Sequence, residues 1–99
     1  MTEEQVYEAL RSVYDPEIGV NIVDLGLVYK VEIRPHEVYI ELTMTTPVCP
    51  LHGVITRNME QVIRDAFPEL VVVTIELVWE PAWNPEMMST AAKKQLGWA

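Results

Sequence analysis

The sequence predicts an α+β two-layer sandwich, in which helices cover one face of a three-stranded sheet in the order αββαβα. Two stretches, 2–13 and 51–67, repeat apolar residues at helical spacing, and three others alternate apolar with polar residues. Turn residues separate these stretches, as in a mixed α and β domain. With 99 residues, of which 49% are apolar and 22% charged, the chain is predicted to form a single domain over residues 1–99.

The first helix is predicted to begin at a capping box, in which Thr2 and Gln5 satisfy each other's backbone N–H groups. Apolar residues then recur on one face of that helix: Val6, Leu10 and Val13. The Asp15–Pro16 pair is predicted to end it, because the residue before a proline is disfavoured in helical conformation.

Two strands are predicted next. From residue 27 the apolar period changes to two, and it runs through 27–33 and again through 38–44, on either side of a tight turn at 34–37. An antiparallel hairpin follows from this pattern. The third strand is predicted at 70–79, where β-branched residues dominate.

Prolines mark the limits of the second and third helices. Pro50 is predicted to be the first residue of the second helix, with Cys49 as its N-cap, and Pro68 closes it. The last helix is predicted to begin after Asn84, with Pro85 as its first residue, and to end at Gly97.

Charge and composition exclude several classes of function. The net charge is −8, from 15 acidic and 7 basic side chains, and the basic side chains are scattered along the sequence. Such a surface disfavours nucleic acid and anionic lipid, because both are bound mainly through Lys and Arg. No apolar run reaches the length of a membrane span, and the acidic start does not resemble a secretory signal. A single cysteine adds to the prediction of a cytoplasmic protein.

Cys49 is the first candidate for chemistry. At a helix N-cap its sulfur would face unpaired N–H groups and the positive end of the helix dipole, a setting that lowers the pKa of a thiol. His52 follows three residues later, on the same side of the first turn. The alternatives are an inert buried cysteine and a solvated histidine.

As metal ligands, Cys49 and the auxiliary His52 number only two, whereas zinc and iron–sulfur sites use about four. One copy of the chain is therefore not expected to bind a cluster stably. A homodimer, a client protein or a small thiol would have to supply the other ligands.

Carboxylates in the loop after the first helix are the second candidates. Asp24 lies among apolar residues, where an acid needs hydrogen-bond partners. We expect it to accept from the N–H groups at the start of the second helix, near Cys49. Glu17 is an auxiliary candidate, and Asp15 is more simply a turn residue.

Two tryptophans form a corner with the prolines after the third strand. Trp79 is predicted to pack on the core. Trp83 is the candidate for a partner surface or for a lid over Cys49, with core packing as the alternative.

Three motifs make the chain resemble the SufT/PaaD-like family of metal–sulfur cluster biosynthesis domains: DPEIGVNIVDLGLVY at 15–29, MTTPVCPLHG at 44–53 and VWEPAWNPEMMS at 78–89. The resemblance implies a small α+β protein that assists iron–sulfur cluster assembly or delivery. It implies that Cys49 is the reactive cysteine and Asp24 the accompanying acid, with Thr46 as an auxiliary residue of the second motif. Val48 and Ala82 depart from the family pattern, but neither removes the cysteine or the acid.

The leading hypothesis is therefore a non-enzymatic factor that holds a labile cluster or iron through Cys49 and acts on iron–sulfur client proteins together with other assembly factors. A cysteine-based redox or nucleophilic protein is one alternative, and an accessory subunit of an aromatic-degradation oxygenase is another. The third is a plain interaction module that docks a partner through Trp83, with Cys49 only packing.

Overall fold

The computed structural model describes residues 2–16, 18–44 and 52–97, with the backbone alone of His52. The elements follow in the order α1 (Glu3–Leu10), β1 (Val28–Arg34), β2 (Glu37–Leu42), α2 (His52–Ala66), β3 (Val72–Leu77) and α3 (Thr90–Gln95). A short 3₁₀ helix, Pro85–Met87, precedes α3. The α+β class and the αββαβα order predicted from the sequence are confirmed.

The sheet has the order β1-β2-β3 and is mixed. β1 and β2 are antiparallel, with Arg34 opposite Glu37. The predicted tight turn between them contains His36, whose φ of 62° lies in the left-handed region. β2 and β3 are parallel, as the helical crossover through α2 requires.

Both longer helices pack on one face of the sheet, α1 against β1 and α2 against β3. Their inward residues are spaced by four positions, so they lie on one side of each helix: Val6 and Leu10 in α1, and Ile55, Met59 and Ile63 in α2. Alternate residues of the central strand face them and are fully buried: Val38, Ile40 and Leu42. This alternation is the one that the sequence predicted.

The opposite face of the sheet is polar. Tyr39 lies at its centre, and its hydroxyl lies 2.7 Å from Glu76 Oε2 and 2.8 Å from Glu41 Oε2. Hydrogen bonds to these two carboxylates raise the pKa of Tyr39, and the bond to Glu76 has the larger effect. The tyrosine therefore stays protonated as a donor between two acids on neighbouring strands.

The first helix begins at the predicted capping box, with Gln5 N donating to Thr2 Oγ1 at 3.1 Å. It ends at Leu10, several residues before the predicted stop at Asp15–Pro16. The chain leaves the helix early because residues 13–15 pair with residues 20–22. Ile22 N donates to Val13 O at 2.9 Å, and the amide of Asp15 donates to the carbonyl of Val20 at 3.0 Å.

The predicted C-terminal helix is also corrected, because it is two pieces. Asn84 caps the 3₁₀ helix, as predicted, with Glu86 N donating to its Oδ1 at 2.9 Å. Met88 is extended, and Ser89 then caps α3 through its hydroxyl. The break follows from tertiary contacts, since Met88 is buried and Ser89 N donates to the carbonyl of Asp24 at 2.7 Å. Gly97 follows α3 with a φ of 76°.

Candidate functional site

The topology brings Asp24, Trp83 and the start of α2 to one end of the sheet. α2 ends beside the β1–β2 turn, where Val71 N donates to His36 O at 2.8 Å. Its 15 residues span about 22 Å, so its first turn lies at the opposite end. That end, where β1 begins and β2 and β3 finish, is called the site end here. The other, with Arg34, Glu37 and Val72, is the turn end.

Two segments meet at the site end. The Asp24 loop, residues 18–27, leads into β1, and the C-terminal segment, residues 78–97, follows β3. Residues 45–51, which join Met44 to α2 and include Cys49, lie outside the described residues. Ligands of open sheets commonly bind beyond the carboxyl ends of parallel strands, and β2 and β3 both finish here.

Asp24 is half-buried, and its carboxylate is held by a neighbour in its own loop. Its Oδ2 accepts from Asn21 Nδ2 at 2.7 Å, and its backbone N–H donates to Asn21 Oδ1 at 2.9 Å. The expected hydrogen bonds from α2 to this carboxylate are not made by the described residues of that helix. The requirement for partners was predicted, but the partner itself, Asn21, was missed.

The signal for Asn21 was present in the sequence. Asn21 and Asp24 stand three residues apart. Asn21 Oδ1 accepts from the Asp24 amide, as the first side chain of a capping box does, and Asn21 Nδ2 donates to Asp24 Oδ2. Leu25 N donates to the Asn21 carbonyl at 3.1 Å, which closes a turn around the pair. The acid is thus oriented locally before any long-range contact is made.

The C-terminal segment fixes the Asp24 loop by donating hydrogen bonds to the backbone carbonyls of that loop. Trp83 Nε1 donates to the carbonyl of Leu25 at 2.7 Å, and Ser89 N donates to that of Asp24. Gln95 Nε2 lies 3.3 Å from the carbonyl of Gly19. Because the acceptors are backbone carbonyls, the loop is held without using the Asp24 side chain.

Gly26 allows the closest approach between the two segments. Its φ is 79°, and a Cβ at this position would overlap the Met87 carbonyl oxygen and lie 2.8 Å from the Met87 carbonyl carbon. Glycine is needed here both for its backbone conformation and for the space. The sequence did not reveal this contact, since Gly26 and Met87 are distant along the chain.

Tyr29 lies beside the contact between Gly26 and Met87 and binds the C-terminal segment. Its hydroxyl donates to the Pro81 carbonyl at 2.7 Å. Burial raises the pKa of Tyr29, and the neighbouring Thr43 hydroxyl offsets part of that rise. Thr43 Oγ1 is itself buried and makes no hydrogen bond of good geometry within the described part of the chain. Tyr29 therefore remains a protonated donor.

The prediction for Trp79 is wrong, whereas Trp83 adopts the core-packing alternative. Trp83 is half-buried, packs against the core and anchors the Asp24 loop. Trp79, predicted to pack inside, is 43% exposed. It follows the end of an edge strand, β3. Of the two tryptophans in the described residues, Trp79 offers the larger exposed surface to a partner.

The remaining predicted site residues are not tested by the structure. Cys49, Thr46 and Glu17 lie outside the described residues, and of His52 only the place at the start of α2 is described. Among the residues that are described, no group of three or more His, Cys, Asp or Glu side chains is arranged to hold a metal ion. No helix within the described ranges is long and apolar enough to cross a membrane.

Comparison with known proteins decides the family. A family model described as "Iron-sulfur cluster assembly protein" matches residues 3–77. The chain belongs to this family. The matched region contains the Asp24 loop and the whole sheet, whereas the anchoring residues Trp83 and Ser89 lie beyond it.

Individual family members are similar over nearly the full length. The Fe-S protein maturation auxiliary factor of Porphyromonas gingivalis is 40% identical over 97 residues, covering 97% of this chain and 91% of that protein. The Fe-S protein maturation auxiliary factor SufT of Staphylococcus aureus is 40% identical over 86 residues, covering 86% of this chain and 97% of that protein. A crystal structure of a domain of unknown function, DUF59, from Bacillus anthracis superposes with a TM-score of 0.91 at 41% identity. The match covers 96% of this chain and 91% of that one.

Proposed function

We propose that this protein is a non-enzymatic accessory factor in iron–sulfur cluster assembly or transfer, and that it acts on client proteins through Cys49. The observation that carries the proposal is the 40% identity, over nearly the whole chain, to proteins named Fe-S protein maturation auxiliary factors. In this role the cluster or its iron is cargo, which passes to client proteins and is received from other assembly factors.

The geometry of the site end supports this role. The Asp24 loop is fixed on two sides, by Asn21 and by the C-terminal segment, at the end of the sheet where α2 begins. Cys49 precedes α2 by three residues in the sequence. We infer that Asp24 orients or tunes the Cys49 thiol and that His52 is an auxiliary ligand or proton partner.

A site with few protein ligands suits a carrier. Stable iron–sulfur clusters in proteins are held by about four side chains. Cys49 and His52 offer two from one chain, so a client, an assembly factor or a second chain would complete the site while the cluster is being passed on. A cluster bound in this way is released more easily than one in a closed site.

The decisive experiment is complementation in cells that lack their own maturation factor. We expect the wild-type chain to restore the activity of an iron–sulfur enzyme, normalised to the amount of its polypeptide, and Cys49→Ser to abolish the restoration. As a matched control, Ser12→Cys in the Cys49→Ser background moves the thiol to an exposed position and should not restore activity. Full activity of Cys49→Ser would overturn the proposal.

A second experiment examines the cargo directly. The protein is incubated anaerobically with iron and sulfide, then mixed with an apo-client, and the visible absorbance and client activity are followed. We expect absorbance that depends on Cys49 and that is lost as the client becomes active. Absorbance that persists with an inactive client would contradict a transfer role.

The alternatives give different results in simple assays. A redox or nucleophilic role requires a low thiol pKa. The pH dependence of alkylation reports this pKa, since Cys49 is the only cysteine in the sequence. A midpoint near the ordinary value of about 8.5 would argue against such a role. If the protein were a plain interaction module, Cys49→Ala would leave partner binding unchanged. The sequence suggested Trp83 as the docking residue, but since Trp83 is half-buried, Trp79→Ala is the variant expected to abolish partner binding.

A further inference from the structure

The two edge strands of the sheet, β1 and β3, are protected to different extents against pairing with another strand. β1 carries alternating charges, with Lys30 Nζ 3.1 Å from Glu32 Oε1 and Arg34 3.4 Å from the same carboxylate. The register also shifts between Val28 and Lys30, as at a β-bulge. Charged side chains and bulges are the usual means by which proteins prevent pairing at an edge strand.

β3 has no bulge and carries a single charged side chain, Glu76. It contains no Lys, Arg or Pro, and its register with β2 runs without a shift from Val72 to Leu77. Of the five exposed large hydrophobic residues in the described part of the chain, three lie in this strand or next to its ends: Val71 at 70%, Val72 at 43% and Trp79 at 43%.

Backbone groups of β3 point outward. Val72 N donates to His36 O, and Val78 N to Leu42 O, so the even-numbered residues between them bond to β2 in a parallel ladder. The N–H and C=O groups of Val73, Ile75 and Leu77 therefore face away from β2. No strand lies beyond β3 among the described residues.

The inward side chains of β3 are also incompletely covered. Val73, Ile75 and Leu77 pack against the core but remain partly exposed, whereas the corresponding residues of β2 are fully buried. Another strand beside β3, with a helix behind it, would cover this apolar surface and satisfy the outward backbone groups.

We infer that the edge of β3 binds a second copy of this chain, antiparallel about a two-fold axis at Ile75, to form a continuous six-stranded sheet. This register makes the edge self-complementary. Val71 and Trp79 are each four residues from Ile75, so Val71 lies opposite Trp79 of the partner subunit and the exposed apolar ends cover each other. Because α2 packs on β3, the two α2 helices come alongside.

The same register avoids a direct clash of charge. Thr74 lies opposite Glu76 of the partner subunit, so the two Glu76 carboxylates do not face each other. The matching of Val71 with Trp79 favours a second copy over an unrelated client strand, which would have no reason to share this symmetry. The inference is independent of the proposed function.

Charge changes at Thr74 test both the interface and its register. Thr74 is exposed, so its substitution should leave the fold intact. Thr74→Glu places a carboxylate opposite Glu76 at two symmetric positions, and Thr74→Lys places a cation there. By sedimentation equilibrium, we expect the wild type to dimerise, Thr74→Glu to weaken the dimer about tenfold and Thr74→Lys to strengthen it about tenfold.

The control is the exposed Ser12 in the turn after α1, since Ser12→Glu and Ser12→Lys change the net charge equally without touching β3. The double variant Thr74→Glu with Glu76→Lys should restore dimerisation. Misfolding cannot explain opposite changes at one position. A protein that stays monomeric at its highest soluble concentration, or a dimer that responds alike at Ser12 and Thr74, would overturn the inference.

Discussion

At the turn end of the sheet, short turns join the elements, Pro35–His36 between β1 and β2 and residues 67–71 between α2 and β3. At the site end, the connections are the Asp24 loop, the C-terminal segment and residues 45–51. The turn end needs only local backbone geometry, such as the positive φ of His36. The site end depends on contacts between segments far apart in the sequence.

The site end therefore combines long-range packing with candidate functional residues, whereas the turn end needs little beyond local turns. The strands and helices form a scaffold that short turns close at the turn end, while the Asp24 loop and the C-terminal segment, which contain Asp24 and Trp83, lie at the other end. Substitutions at the two ends should therefore differ in what they change, and the following predictions run from the largest expected effect to the smallest.

Gly26→Ala should destabilise the protein by about 3 kcal/mol, because it combines a left-handed backbone with a clash against Met87. Chemical denaturation would measure the loss in the free energy of unfolding. Two other glycines separate the causes. Gly19 has a φ of 78° but open space around it, so Gly19→Ala should cost about 1 kcal/mol.

Gly53 completes this series, since it lies in α2 with neither a positive φ nor a neighbour within 4 Å of an added Cβ. Gly53→Ala should stabilise the helix by up to about 1 kcal/mol. Equal effects at Gly26 and Gly19 would show that the contact with Met87 contributes nothing.

Trp83→Ala should cost about 2–3 kcal/mol, because it removes a half-buried ring together with the hydrogen bond to Leu25 O. Trp83→Phe retains most of the packing and should cost about 1–2 kcal/mol. Thermal and denaturant unfolding would measure both changes. The exposed Trp79 is the matched control, and Trp79→Phe should stay within about 0.5 kcal/mol of the wild type.

Asn21→Ala should cost about 1–2 kcal/mol and lower client maturation, because it removes both hydrogen bonds that orient Asp24. Asn58→Ala, an exposed asparagine of α2, is the control for stability. Asp24→Asn should reduce maturation with a smaller change in unfolding free energy, since Ser89 binds the main-chain carbonyl of Asp24. Complementation and denaturation must be measured on the same variants, and loss of both properties together in Asp24→Asn would contradict this separation.

His36→Gly should change the unfolding free energy by less than about 1 kcal/mol, since glycine relieves the positive φ but adds freedom to the unfolded chain. Client maturation should be unchanged. A marked loss of maturation from this variant would show that the two ends are not independent.

Local patterns were sufficient to predict most of the scaffold. The capping box at Thr2, the alternation in β1 and β2 and the four-residue spacing in α2 each depend on neighbours in the sequence, and each is present in the structure. The Asn21–Asp24 pair was equally local and was missed only because it closes a loop turn instead of a helix.

The remaining differences come from contacts that no local window contains. α1 ends early because residues 13–15 pair with 20–22, and the last helix is broken because Ser89 binds the Asp24 loop. The exposure of Trp79 and the packing of Trp83 have the same origin. Nothing in the composition around either tryptophan shows which one meets Leu25 in the fold.

The hydrogen bond from Trp83 to Leu25 spans 58 residues of sequence, which has a consequence for the order of events during synthesis. The Asp24 loop leaves the ribosome long before Trp83 and Ser89 are made, and until then its carbonyl groups must bond to water. A small domain folds as a unit, and this loop can be locked only after residue 89 is free. The Asp24 loop is therefore among the last parts of the fold that can become fixed.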